Sequence, residues 1–200
     1  MFEQLLSGST LSLLLQVMPI ALITSTIHAL IRLHRLSKAS EAVFWERELL
    51  RYLWVCYLAA LLCLTLLPAN LLTALWSWLL YGYSSCDIAP PFSGGFNLVP
   101  TLYRWCVGDL LWLGPWVQAM LVGNVLMFLP MGCLLPLVSD HLTQGRMVLL
   151  ACLIPLTIEL LQPIVGRSFD VDDLIMNALG ILLGSLVSTI LCAVYRILHA

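Results

Sequence analysis

Charge is scarce in this sequence. Asp, Glu, Lys and Arg make up 10% of its 200 residues, where a soluble domain usually holds about 25%. A chain so poor in charge has too little polar surface to enclose a core in water, so an ordinary soluble domain is excluded. Lys and Arg together number 9, and they form no face of the kind that binds nucleic acid. Metal-ligand patterns are missing too. There is no CxxC and no His at ligand spacing, so neither a metal nor a cofactor is expected. Five of the seven cysteines lie in apolar runs, where Cys behaves as a small hydrophobe. The other two, Cys86 and Cys106, share one loop and can pair only if that loop faces an oxidising compartment.

What the chain has in abundance is apolar sequence. It is 61% hydrophobic, with a mean hydropathy of +0.98. A spanning helix needs about 20 apolar residues, and five stretches qualify, at 11–31, 50–70, 116–138, 147–165 and 172–194. The expected fold class is all-α, a polytopic membrane helix bundle of about five transmembrane helices. The first run is too long for a signal-peptide core, and Glu3 rather than Lys or Arg precedes it, so it reads as a retained span. Residues 71–83, "LLTALWSWLLYGY", are too few to span. Their Trp and Tyr suit an interfacial segment or a frayed extension of the second helix. The Pro- and Gly-rich loop "SSCDIAPPFSGGFNLVPTLYRW" is predicted irregular. "SKASEAVFWERELLRY" reads as an amphipathic surface helix running into the second span, and Pro130 and Pro136 are expected to kink the third.

Arg32, Arg35, Lys38, Arg47 and Arg51 all fall between the first two spans. Loops rich in Lys and Arg stay in the cytoplasm. The N-terminus is then extracytoplasmic and the C-terminus cytoplasmic, in a multi-pass protein of the cell inner (plasma) membrane. Arg146 and Arg196 also fall inside, leaving Arg104 and Arg167 outside.

Against that background "GRSFDVDDLIMNALG" stands out, because Arg167, Asp170, Asp172 and Asp173 fall within seven positions and lead into a helix carrying Asn177. With about 1.5 Å of rise per residue, Asn124 lies roughly 13 Å along the third span, and Glu159 and Asn177 lie roughly 9 Å below the outer ends of the fourth and fifth. Gln162 shares a helix face with Glu159, and Asp173 shares one with Asn177. The bland account is structural: Asp172 and Asp173 cap the first turn of a helix, and Arg167 pairs with Asp170. Glu159 tips the balance. A carboxylate beside Leu160 and Leu161 caps nothing and needs a partner, with Arg167 or Asn177 nearest in depth. Ionisable groups inside a bilayer mark function by default. The candidate ligand-binding set is therefore Asn124, Glu159, Gln162, Arg167, Asp170, Asp172, Asp173 and Asn177. Gly180 and Gly184 form a GxxxG on the same helix as Asn177, which reads as close helix packing, and His28 reads as a structural hydrogen-bonder.

"NVLMFLPMGCLLPL" followed by "IELLQPIVGRSFDVDDLIMNALGILLG", with "FNLVP" upstream, resembles the VanZ-like family of small integral membrane proteins. The resemblance covers roughly residues 50–195. It implies a membrane protein at the cell-wall face, in a family whose founding members are linked to low-level resistance to the glycopeptide teicoplanin. It implies no reaction. In its light residues 1–49, the first helix and basic loop, read as an addition to a VanZ-like membrane domain over 50–200. Three functions follow in order. The first is binding of a cell-wall lipid precursor or lipoglycopeptide in an extracytoplasmic polar pocket, with membrane lipids as the other partners. The second is an intramembrane enzyme on a lipid-linked or phospholipid substrate, with Glu159 or Asp173 as general base and Arg167 on a phosphate. The third is a transporter, which would need a polar path through inner halves that look apolar.

Overall fold

The computed structural model describes residues 10–39, 42–68, 70–84, 86–109, 112–139 and 142–198. Glu3, and the Ser40 and Glu41 of the expected surface helix, lie outside them. The elements run α1 (Thr10–Ala39), α2 (Trp45–Leu66), α3 (Leu71–Tyr81), β1 (Phe96–Asn97), α4 (Thr101–Cys106), α5 (Pro115–Val138), α6 (Gln144–Leu161), a 3-10 turn (Gln162–Val165), β2 (Phe169–Asp170) and α7 (Val171–Leu198). Five of these helices are long and apolar enough to cross a membrane: Ser12–Ala39, Trp45–Leu66, Pro115–Val138, Gly145–Val165 and Val171–Leu198. The chain is a helical, multi-pass membrane protein, as its apolar runs predict. Many leucines on these helices, such as Leu30, Leu126 and Leu191, are exposed, which suits faces turned to lipid tails.

Three details depart from expectation. Residues 71–81 are neither frayed nor an extension of α2. Leu67 is extended at ψ 146, as residues before proline tend to be, and Pro68 follows. The new helix starts after Asn70 in the left-handed region and stops at Gly82, whose N–H donates to the Trp78 carbonyl, a left-handed C-cap. Residues 42–44 are not helical, so α2 begins only at Trp45. The Pro- and Gly-rich loop is not wholly irregular, since it holds both β1 and the short α4. Pro130 and Pro136 lie inside an α5 that continues past them. All seven cysteines are free thiols.

By its contacts the chain divides into two compact units. The first holds the N-terminal part through Ser93 together with Ile164–Arg167. In it α1 packs on α2 and α3. Gln16, fully buried on α1, exchanges hydrogen bonds with the Thr73 hydroxyl at 3.3 Å, and its carbonyl accepts from Trp76 Nε1 at 3.1 Å. Those bonds hold the three-turn α3 to α1.

The second unit holds Gly94–Pro163 and the chain from Ser168 on. Its axis is the packing of α5 on α7, and α6 packs on α7 as well. Glycine makes the approach close. A methyl group built on Gly184 would lie 2.1 Å from the Leu129 carbonyl oxygen, one on Gly180 2.5 Å from that of Val125, and one on Gly132 2.0 Å from that of Ile181. No side chain fits there. The GxxxG of α7 does serve packing, and Gly132 on α5 answers it from the facing helix.

Candidate functional site

At the head of α7 the second unit gathers its carboxylates. The two-residue strands pair in parallel, Phe96 with Phe169 and Asn97 with Asp170. Ser168 flanks them, its hydroxyl accepting from the Gly95 N–H at 3.2 Å, while the Phe169 N–H donates to the Gly95 carbonyl at 3.0 Å. This short ladder lays the loop before α4 along the entry to α7.

Each acid then has a different task. Asp170 Oδ1 accepts from the backbone N–H of Asp172 at 2.8 Å and from the Asn97 amide at 3.1 Å. Asp170 is therefore the residue that caps α7, where the expectation had been Asp172 and Asp173. The correction has a simple geometric cause. A side chain reaches a free N–H two residues ahead from outside the helix, and residues within the first turn point outward from it. Asp172, 1% exposed, turns to α4 instead. Its two oxygens accept the Thr101 backbone N–H at 2.9 and 3.0 Å, and Oδ2 also accepts the Thr101 hydroxyl. It thereby satisfies the first free N–H of α4 from another helix. Asp173 accepts from the Asn124 side-chain amide across the α5–α7 seam.

Glu159, near the end of α6, is 0% exposed. Its Oε2 accepts the backbone N–H of Asp170 at 3.0 Å. Gln162, with its amide nitrogen facing the two acceptors, donates to the same oxygen at 3.1 Å and to the Ser168 carbonyl at 2.9 Å. The expected partners for Glu159 were Arg167 and Asn177; the main-chain donor was not foreseen, and Gln162 had been placed only on the same helix face. Asn177, 2% exposed, keeps its Oδ1 buried with no hydrogen-bond partner. Arg167 is half-buried, between Gly166 at φ 78 and Ser168, and belongs to the first compact unit.

Seven of the eight residues singled out in the sequence thus lie in the second unit; Asn124 bonds Asp173, while Glu159, Gln162, Asp170 and Asp172 join one hydrogen-bonded network. Asn97 and Thr101 complete it and were missed. Their only signal was that "FNLVPT" holds a polar pair around Pro100 inside the motif-bearing loop. Among the described residues no group of His, Cys, Asp or Glu is arranged to hold a metal ion.

Residues 54–192 match the family model VanZ/LLP1. The chain belongs to the VanZ/LLP1 family. No curated protein and no solved structure matches it. The match begins within α2 and ends within α7, so every carboxylate of the network lies inside the VanZ-like part. The basic segment before Trp54 lies outside it.

Proposed function

We propose that this VanZ-like protein sits in the inner membrane with the head of α7 on the extracytoplasmic side and there binds the polar portion of a cell-wall lipid precursor or lipoglycopeptide. The ligand-binding set is Asn124, Glu159, Gln162, Asp170, Asp172, Asp173 and Asn177, and the link to glycopeptide resistance follows from that binding. The observation that carries the reading is Asn177. An amide oxygen buried and unpaired costs about 1–3 kcal/mol, and it stands four residues from Asp173 on the helix that bears the network. A structural clasp gains nothing from it; a site that receives a donor from a ligand does.

Binding is favoured over general-base chemistry because Glu159 and Asp173 already accept hydrogen bonds from Asp170 and Asn124. Such bonds preorganise acceptors and amides for recognition. Glu159→Gln tests the reading. The change is isosteric and leaves an acceptor for the Asp170 N–H, so the variant is expected to insert and accumulate normally. Teicoplanin binding in detergent, and any resistance phenotype in cells, is expected to be lost. Wild-type binding and phenotype in Glu159→Gln would refute the assignment.

A further inference from the structure

A second polar site lies in the first compact unit, outside the family-matched residues. Between α1 and α2, at the end joined by the basic loop, runs an open groove of about 190 Å³. Glu48 lies at its centre. It accepts from Arg32 Nε at 2.6 Å and from Arg51 Nη1, one turn further along α2. Two guanidiniums are thus held side by side by one carboxylate, which cancels only one of their charges. A guanidinium has several N–H donors in a planar fork, and the contact of Arg51 with Glu48 occupies one of them. His28 lines the same groove. Trp45 and Leu49 also line it, on the loop side of Arg51, and are themselves largely exposed.

We propose that this groove binds the phosphate of an anionic phospholipid, with the Arg32–Arg51 pair on the phosphate and Trp45, six residues nearer the loop, at the level of the headgroup. Charge complementarity and position argue for that occupant. Cations predominate in and around the groove, since Arg35, Lys38 and Arg47 flank it and only Glu46 and Glu48 oppose them among the described residues. Trp45 is the first residue of a candidate span, at the level where interfacial Trp and lipid headgroups meet. Exposed leucines continue along both helices beyond the arginines, Leu30 on α1 and Leu53 on α2, which fits an acyl chain and gives free phosphate nothing.

The test uses the full chain in detergent, with bound species counted by native mass spectrometry during titration with phosphatidylglycerol, phosphatidylcholine or inorganic phosphate. Phosphatidylglycerol is expected to bind in preference to phosphatidylcholine. Arg51→Gln is expected to lower its affinity about fivefold, as for one basic residue at a membrane surface. Trp45→Ser, at an exposed position that folding does not depend on, is expected to weaken the lipid as well, and Arg104→Gln, in α4, to leave it unchanged. No preference for phosphatidylglycerol, wild-type affinity in both groove variants, or displacement of the lipid by millimolar inorganic phosphate would each overturn the proposal.

Discussion

The two compact units are built from the same kind of apolar helix and joined by opposite means. In the first, α1, α2 and α3 contain no glycine. Side chains make the joins: Gln16 with Thr73, and Glu48 with Arg32 and Arg51. In the second, α5 and α7 meet backbone to backbone at Gly132, Gly180 and Gly184, and polar side chains are saved for the head of α7. The contrast shows what glycine does inside a membrane. Lipid tails offer no hydrophobic drive for helix association, so van der Waals contact at close range and hydrogen bonds must supply it. Close contact along the lower seam frees its upper end to hold carboxylates that would otherwise be too expensive to bury.

The comparison breaks most completely if the orientation expected from the basic residues is wrong. A periplasm-active reporter fused after Phe169 is expected to be active, and one fused after Lys38 inactive. The reverse pattern would move the carboxylate network to the cytoplasm.

The next effect is on the glycine seam. Gly184→Leu forces a side chain onto the Leu129 carbonyl and is expected to cost about 3 kcal/mol or more, seen as loss of a monodisperse peak in detergent. Gly123 shares α5, but a methyl there meets nothing within 4 Å. Gly123→Ala is expected to gain up to about 1 kcal/mol from helix propensity. Equal behaviour of the two variants would mean that the seam is not what holds the second unit.

A smaller effect separates the loop clasp from the seam. Asp172→Ala removes the acceptor for the Thr101 N–H and hydroxyl and is expected to cost about 2 kcal/mol. Thr101→Val keeps the N–H bond, loses the hydroxyl, and is expected to cost about 1 kcal/mol. Both should expose the 94–100 segment to protease before the helices melt. Loss of helix content in step with cleavage would make the clasp part of the bundle itself.

How much of this was legible beforehand follows from range. The spans could be read from apolar runs because length and hydropathy are local properties, and helix rise alone gave Asn124, Glu159 and Asn177 a similar expected depth. Asn97 and Thr101 were not legible. Their bonds to Asp170 and Asp172 cross 73 and 71 residues, and the two-residue strands that bring them together are too short to leave a periodic trace. The division of labour among the acids was misread for a related reason. Helix capping depends on where the first turn begins, and with α7 starting at Val171 the role falls to Asp170, two residues before Asp172. Gly132 was overlooked because GxxxG names one helix of a pair, and its counterpart is set by the partner's register.

The central claim is that the head of α7 is a place for a ligand and more than a clasp. The most direct measurement compares thermal stability and teicoplanin binding in Asn177→Leu, a near-isosteric change that removes a buried oxygen with no partner. Replacing an unsatisfied buried group by an apolar one is neutral or stabilising for folding. The variant is therefore expected to melt at or above the wild-type temperature and to have lost binding. A protein that melts at or above that temperature and binds as the wild type does would contradict the claim, leaving the network a fastening for the loop before α4.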